Sequence, residues 1–339
     1  MTMSRARRIV ADGVLGPGEV REVAAPGSGE VLLRVRATSI NYHDLVGING
    51  GIPNLPVPRV PFSDAGATVE AVGEGVSSWA VDDRVIPSFF QRWQSGPPTK
   101  AGQQVILGDQ IDGTLQTRVV VPARTLVRAP SHLSDEEAAT LGCAGLTAWR
   151  SVVVEAAMRP GQTVVLQGTG GVSLFALAFA KLIGARVIIT SSSDEKLERA
   201  QALGADVLIN YRATPDWSGA VQAATDGEGA DLVVEVGGGA TLAQAVRATR
   251  VGGHVSVIGV LSGLRAPDFP LNIVMSRNIT LRGITVGSTG DLAAMCQAIE
   301  QHGLRPVIDR TFELDMAHEA VAALRAQQHF GKVAIRVDP

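Results

Sequence analysis

One segment, residues 163–173, limits the possible folds of this 339-residue chain more than any other; it reads TVVLQGTGGVS. An apolar strand runs into a glycine-rich turn, and an apolar helix follows at once. Glycines let the backbone approach a pyrophosphate, and the free N–H groups at a helix start favour a negative charge. This order is the context that a dinucleotide site requires, although an ordinary glycine-rich strand–helix turn has the same pattern. The predicted cofactor contacts here are Gly168, Thr169, Gly170, Gly171 and Val172.

Strand and helix patterns alternate on both sides of this turn. The predicted strands are 163–167, 186–190, 207–209, 231–236 and 254–260, and the predicted helices are 171–183, 194–203 and 242–249. Apolar strands that alternate with helices predict a parallel sheet covered on both faces. A helix start is predicted at Ser134, because Glu137 completes a capping box.

The first third of the chain has a different pattern. Short apolar runs are separated by glycines, prolines and paired acids, and they lie at 30–37, 68–72, 84–87 and 118–121. This pattern predicts a barrel-like β domain. The C-terminal part adds predicted helices near 292–302 and 316–326 and a last strand at 332–337.

Charge and composition exclude several classes of protein. The chain has 30 Lys and Arg against 33 Asp and Glu, a net charge of −3, so no basic surface for nucleic acid is indicated. No apolar stretch approaches the ~20 residues that span a bilayer, and no apolar run of a secretory signal follows the first arginines. Two cysteines make no disulfide framework. We therefore expect a cytoplasmic protein with a small-molecule substrate and neither nucleic acid nor membrane as partner.

The end of the second strand predicts which nucleotide binds. Sites for NAD usually place Asp or Glu there, to accept from the ribose 2′-OH. Here the strand ends in Thr190 and three serines, and the nearest acids fit a helix start in which Ser192 is the cap. Hydroxyls without a carboxylate tolerate a 2′-phosphate, so the sequence favours NADPH, with NADH possible. The predicted contacts are Ser191, Ser192, Lys196 and Tyr211, with Arg212 beside them; Lys196 on a solvated helix face is the alternative.

Several motifs, taken together, resemble the medium-chain dehydrogenase/reductase superfamily. They are Asn41-Tyr42-His43-Asp44, VGEGV at 72–76, CAGLTAW at 143–149, the turn at 168–173, GAD at 204–206 and NYR at 210–212. The chain is most similar to the zinc-free, quinone-oxidoreductase-like branch, related to zeta-crystallin, over essentially its whole length. The resemblance implies a GroES-like β-barrel catalytic domain (1–128 and 288–339), a Rossmann doubly wound parallel-sheet domain (129–287) and an active site in the cleft between them. It also implies a homodimer or homotetramer through Rossmann-sheet edges at 254–260 and 279–286.

The same resemblance predicts that no metal is bound. Zinc-dependent relatives hold the catalytic ion with Cys, His and Cys, and the matching positions here are Asn41, Ser63 (with Asp64 beside it) and Cys143. An amide and a hydroxyl make a poor zinc site. Residues 91–110 contain no cysteine for a structural zinc. Cys143 is interpreted as a small buried thiol, with a ligand or a nucleophile as the alternative.

The resemblance also implies roles at the reaction centre. Asn41 would position the substrate oxygen or the cofactor ribose, and Thr147 would contact the nicotinamide ring. Tyr42 and His43 are the candidate proton donors, and either can instead be structural. Further implied cofactor contacts are Gly237, Gly259, Val260, Val286, Gly287 and Lys332. For Lys332 the two options are neutralising a phosphate and an exposed position.

Three functions remain open at this point. Without a metal to lower the pKa of an alcohol, hydride transfer to a conjugated acceptor is the easier reaction. The sequence therefore favours an NADPH-dependent reductase of quinones or α,β-unsaturated carbonyls. An alcohol dehydrogenase or ketone reductase on the same scaffold, and a nucleotide-binding protein with vestigial chemistry, are the alternatives.

Overall fold

The computed structural model describes residues 2–11 and 13–338. Its strands are β1 (Thr2–Ala6), β2 (Ile9–Ala11), β3 (Val14–Leu15), β4 (Glu19–Val23), β5 (Glu30–Ile40), β6 (Gly66–Val72), β7 (Arg84–Pro87), β8 (Arg118–Pro122), β9 (Leu126–Arg128), β10 (Thr163–Gln167), β11 (Arg186–Ser191), β12 (Val207–Asn210), β13 (Ala230–Glu235), β14 (Thr249–Val257), β15 (Thr280–Gly283), β16 (Ile308–Glu313) and β17 (Lys332–Arg336). Its α-helices are α1 (Tyr42–Ile48), α2 (Asp135–Ala138), α3 (Leu146–Trp149), α4 (Gly171–Ile183), α5 (Asp194–Ala202), α6 (Trp217–Ala224), α7 (Leu242–Ala248), α8 (Leu271–Ser276), α9 (Thr289–His302) and α10 (Ala317–Arg325).

The chain divides into two compact units. The first unit comprises the residues up to Leu146 and those from Val286 onward, and the second is Thr147–Thr285. The first unit therefore extends beyond residue 128, the limit expected from the sequence. The reason is that α2 packs on β5 and β6 and belongs with the barrel strands. At the start of α2, Ser134 and Glu137 form the predicted capping box.

The first unit is built on a sheet with the strand order β16-β17-β5-β6-β7-β9, in which β8 also pairs with β5. Strand β5 runs antiparallel to β6, β8 and β17. Its apolar side chains, such as Val31, Leu33 and Val35, lie in one buried cluster. Strand β5 continues three residues past the predicted end at Ala37, because β17 pairs with it as far as Ile40. Asn41 follows directly, at the start of α1.

The second unit is a parallel six-stranded sheet with the order β12-β11-β10-β13-β14-β15. Counted from β10, this order is 3-2-1-4-5-6, which is the Rossmann arrangement. Helix α4 has the predicted bounds and ends at Gly184, which adopts the left-handed conformation (φ +85°). The glycine turn thus lies at the carboxyl end of the first strand, where such sheets bind nucleotides.

Some local predictions are corrected by the structure. Ser193, not Ser192, caps α5, and its hydroxyl accepts from the Lys196 backbone N–H. Strand β14 starts at Thr249 and ends at Val257, so Gly259 and Val260 follow the strand rather than end it. The elements that were not predicted are α1, α3, α6, α8, β1–β4, β9 and β16. In the part of the chain that the structure describes, no helix has the length and apolar character needed to cross a bilayer.

Candidate active site

Asn41 is held in place by the first turn of α1. Its backbone N–H donates to the Asp44 carboxylate at 2.7 Å, which caps the helix. Burial raises the pKa of Asp44 to about 7, against the opposing effects of His43, the Asn41 N–H and Lys332. Asp44 is therefore a buried hydrogen-bonding group that fixes the first turn of α1.

The ammonium of Lys332 lies inside the first unit, beside Asn41. The side chain is 4% exposed, which contradicts the exposed alternative for this residue. Its Nζ donates to the Ile40 carbonyl oxygen at 2.8 Å and to Asn41 Oδ1 at 2.6 Å. It is 3.6 Å from Asp64 Oδ2. The bonds of this cation are thus made to the barrel itself.

Asp64 completes this cluster and is fully buried. Its Oδ2 accepts from Ser39 Oγ at 2.7 Å and from Asn41 Nδ2 at 2.8 Å. Its main-chain oxygen accepts from the hydroxyls of Thr38 and Thr114, both at 2.6 Å. The sequence analysis named Asp64 only because it lies beside Ser63, a position that holds a metal ligand in zinc-dependent relatives. Its role was missed because β5, β17 and the loop before β6 meet only in the fold.

His43 has a carboxylate partner that the sequence did not reveal. Its Nε2 lies 3.0 Å from Asp109 Oδ2, and its ring meets Phe89 edge-on at 5.2 Å. Burial lowers the pKa of His43, but the hydrogen bond and charge of Asp109, with Asp44, raise it overall. The ring remains about one-third exposed, while Asp109 is buried. Tyr42, the other candidate, is 41% exposed at the same helix start.

The donor set does not fit a zinc ion. Within residues 2–11 and 13–338, no three His, Cys, Asp or Glu side chains are placed to hold a metal. Asn41 Oδ1 already accepts from an ammonium. Burial, and next the charge of Asp64, raise the pKa of the Cys143 thiol well above its usual range. Zinc prefers thiolate, imidazole and carboxylate ligands, so the Ser63 hydroxyl and the already bonded Asn41 amide are poor ligands here.

The glycine turn of the second unit provides a place for phosphate. Gly168 has φ +70°, and Gly170 starts α4 without a side-chain cap. A Cβ placed on either glycine would meet nothing within 4 Å, so open space lies over the turn. The Ser173 hydroxyl donates to the Gln167 carbonyl oxygen at 2.6 Å and ties α4 to the end of β10. A pyrophosphate fits this turn, with the helix N–H groups as donors.

Other predicted cofactor glycines are required by the protein's own packing. A Cβ on Gly237 would lie 2.2 Å from Thr241 Oγ1, and one on Gly259 would lie 2.0 Å from the Val236 oxygen. A Cβ on Gly287 would lie 2.9 Å from Leu146 Cδ1. Close approach of the chain to itself is sufficient to require glycine at these three positions, and their contact with the cofactor stays a prediction.

A buried carboxylate behind the glycine turn was missed. Glu235 accepts from Gln167 Nε2, from the Gly238 N–H at 2.7 Å and from Thr241 Oγ at 2.8 Å. Gln167 Oε1 in turn accepts from the Gly237 N–H at 3.0 Å. Burial raises the pKa of Glu235. This network joins the ends of β10 and β13, which no local pattern indicates.

The predicted ribose-phosphate residues lie at the ends of β11 and β12. Ser191 is buried, and its carbonyl oxygen accepts from the Tyr211 N–H at 3.0 Å. Tyr211 and Arg212 are exposed. The nearest acid, Asp194, accepts from Asn210 Nδ2 at 2.7 Å. Of the other predicted site residues, Thr147, Gly259 and Val260 belong to the second unit, and Val286, Gly287 and Lys332 belong to the first.

Comparisons with known proteins support this arrangement. Residues 27–131 match the alcohol dehydrogenase GroES-like domain, and residues 171–301 match the zinc-binding dehydrogenase family. A zinc-type alcohol dehydrogenase-like protein of Schizosaccharomyces pombe is 41% identical over 98% of this chain and 99% of its own. A Sinorhizobium meliloti 1021 protein assigned to the alcohol dehydrogenases has 40% identity and a TM-score of 0.93, covering 99% of both chains.

Other matches carry different names. An acryloyl-coenzyme A reductase of Metallosphaera sedula is 25% identical over 97% of this chain and 99% of its own. A quinone oxidoreductase of Pseudomonas syringae has 26% identity and a TM-score of 0.82, covering 98% of this chain and 99% of its own. An NAD-dependent alcohol dehydrogenase has 34% identity and a TM-score of 0.88, with 98% and 99% covered.

The two folds and their motifs define a nicotinamide-dependent dehydrogenase of two domains, GroES-like and Rossmann-like. The chain belongs to the medium-chain dehydrogenase/reductase superfamily, as the sequence predicted. It is an oxidoreductase of the alcohol dehydrogenase-like family.

Proposed function

We propose that this enzyme is a zinc-independent reductase that transfers hydride from NADPH to a quinone or an α,β-unsaturated carbonyl. The observation that carries the proposal is the chemistry at the positions of the metal ligands: an amide whose oxygen accepts from an ammonium, a hydroxyl and a single thiol. A Lewis acid makes an alcohol easier to oxidise by lowering its pKa, whereas a conjugated acceptor delocalises the incoming charge without one. The names of the acryloyl-coenzyme A reductase and the quinone oxidoreductase agree with such an acceptor.

The residues of the first unit supply the oxyanion contact and the proton. The bound nicotinamide supplies the hydride. Asn41 Nδ2 donates one of its two hydrogens to the Asp64 carboxylate. Its second hydrogen donates to the carbonyl oxygen of the substrate. His43, whose pKa is raised by the hydrogen bond and charge of Asp109, delivers the proton that completes the reduction. We favour His43 over Tyr42 because a carboxylate orients its ring and raises its pKa.

NADPH is proposed over NADH on the residues around β11. Asp194, at the start of α5, accepts a hydrogen bond from Asn210 Nδ2. Tyr211 and Arg212 follow β12 and are exposed. Arg212, with Lys196, offers a cationic contact for the 2′-phosphate. In Arg212→Ala, we expect the NADPH dissociation constant to rise by about tenfold, the effect of losing one charge-assisted hydrogen bond. The dissociation constant for NADH should not change, and equal weakening of both would reject this contact.

A panel assay tests the reaction. Purified protein with NADPH is offered quinones, enones, ketones and, in the reverse direction with NADP⁺, secondary alcohols. Loss of the reduced-nicotinamide absorbance with quinones or enones is the expected result. No loss with any quinone or enone would reject the proposal.

The alternative function is an alcohol dehydrogenase or ketone reductase that uses His43 in place of zinc. It is favoured by the names of the 41% and 40% identical relatives. Turnover of secondary alcohols or ketones without turnover of quinones and enones would select it. Tight NADPH binding without any turnover would instead select a protein with vestigial chemistry.

A further inference from the structure

The Asn41 carboxamide is held at both ends by opposite charges. Its Oδ1 accepts from the Lys332 ammonium at 2.6 Å, and its Nδ2 donates to the Asp64 carboxylate at 2.8 Å. All three side chains are buried. An amide in this position cannot rotate without breaking a charge-assisted hydrogen bond, so its orientation is fixed.

The ammonium is directed at the amide more closely than at the carboxylate. Nζ lies 2.6 Å from Asn41 Oδ1 but 3.6 Å from Asp64 Oδ2. It is also anchored to the Ile40 carbonyl oxygen, and β17 pairs with β5 beside it, with Val333 opposite Ile40. The sheet thus sets where this cation lies.

This arrangement changes the chemistry of the amide. A cation at the carbonyl oxygen draws electron density from the amide nitrogen and makes its N–H groups stronger donors. The effect is large in a buried site, where few waters screen the charge. One N–H is bound to Asp64, and the other becomes a strengthened donor for a developing oxyanion.

We propose that Lys332 and Asp64 are positioning residues that orient and polarise Asn41 as the donor to the acceptor oxygen. An internal ammonium thereby gives this barrel an electrophilic group without a bound metal. This inference rests on the proposed function, because it takes Asn41 as the residue that contacts the acceptor oxygen. It replaces the expectation that Lys332 neutralises a cofactor phosphate.

The decisive variant removes both charges together. Lys332→Met alone leaves a buried carboxylate without its cation and risks unfolding, whereas Lys332→Met with Asp64→Asn leaves no net charge. We expect this double variant to fold and bind NADPH as the wild type does. Its kcat should fall by about 10-fold to 100-fold, the usual effect of removing groups that orient a reacting-centre ligand.

A double-mutant cycle shows whether the effect passes through Asn41. In an Asn41→Ala background, the two charge-removing substitutions should lower kcat no further. The matched control removes the surface pair of Lys181 and Asp206, which lie 2.9 Å apart and about one-third exposed. Lys181→Met with Asp206→Asn should leave kcat unchanged.

Three results from kcat and NADPH-binding measurements would overturn the proposal. Wild-type kcat in the charge-free double variant would make Lys332 a mere counter-ion. A further full loss in the Asn41→Ala background would show that Lys332 acts without Asn41. Weaker NADPH binding with unchanged kcat would show that Lys332 contacts a cofactor phosphate, as the sequence had suggested.

A measurement without turnover separates this inference from the proposed function. The side-chain amide protons of Asn41, observed by NMR after asparagine-selective ¹⁵N labelling, report its polarisation directly. We expect the proton that is not bonded to Asp64 to move upfield in the charge-free double variant, and an unchanged position of that proton would refute the polarisation. If the wild type reduces no quinone or enone, the proposed function fails, and this signal still decides whether Lys332 and Asp64 polarise Asn41.

Discussion

At the scale of single residues, the pair of His43 and Asp109 determines how the enzyme should respond to pH. The protonated ring is the acid, so activity should fall as the pH rises through the pKa of His43. Asp109→Asn removes the negative charge that raises this pKa and leaves at most a neutral hydrogen-bond acceptor. The falling limb of the kcat profile should therefore move to lower pH.

The profile of each variant is measured with NADPH and one quinone. In His43→Gln, kcat should no longer fall as the pH rises through the pKa of the histidine. Its value should be lower by about 100-fold or more, the usual contribution of a general acid. The matched control is His302→Gln, since His302 is exposed at the end of α9. If kcat of Asp109→Asn falls at the same pH as in the wild type, His43 is not the proton donor.

Asp44 should make the folded state less stable as the pH rises. Burial raises its pKa from 3.8 to about 7, so the folded chain holds this proton more tightly than the unfolded chain. Its contribution to the free energy of unfolding is therefore present below pH 3.8 and is lost as the pH rises towards 7. In Asp44→Asn, the melting temperature should decline less than in the wild type over this range. An identical decline in both proteins would contradict the pKa direction.

At the scale of elements, the turn between β10 and α4 combines strain with function. Gly168 has φ +70° below open space, so Gly168→Ala adds backbone strain of about 1–2 kcal/mol and a methyl group where phosphate would lie. Gly161 has φ +81° and also has nothing within 4 Å. Gly161→Ala should lower the melting temperature similarly, but only Gly168→Ala should weaken NADPH binding in a fluorescence titration. Equal binding by both variants would place the phosphate elsewhere.

The free edge of the second-unit sheet is where we expect a second copy of this chain to bind. All four residues of β15 are exposed, and α8 beside it exposes Leu271 and Met275. An unpaired edge strand next to apolar side chains is a template for pairing. We expect a dimer in light scattering, and Leu281→Lys with Met275→Lys should yield monomers. Leu203→Lys, at an exposed position on another face of the unit, is the control, and a wild-type monomer would contradict the expectation.

At the scale of the whole molecule, the proposal predicts turnover without a metal. Prolonged treatment with a chelator should leave kcat unchanged, because Asn41 is bound to an ammonium and the Ser63 hydroxyl is a weak zinc ligand. Elemental analysis of the purified enzyme should find no stoichiometric zinc. Stoichiometric zinc, lost with activity and restored with it, would overturn the proposed mechanism.

Local signals were sufficient where an element is defined by its own residues. Helix α4 has the predicted bounds because a glycine turn precedes it and Gly184 ends it. The end of β5 at Ile40 was not predictable from its neighbours, because its last residues are held by β17, almost 300 positions away in the chain. The roles of Asp64, Asp109 and Glu235 were missed for the same reason.

The sequence by itself indicated a β domain followed by a parallel α/β sheet, because hydrophobic periodicity, caps and glycine turns are local properties, and its motifs carried the resemblance to the superfamily. Only the tertiary structure decided where the charges lie. Lys332 was expected at a phosphate or in solvent, and the pairing of β17 with β5 places its ammonium on Asn41. The partner of a buried charge depends on which distant strands meet, and no local pattern contains that information.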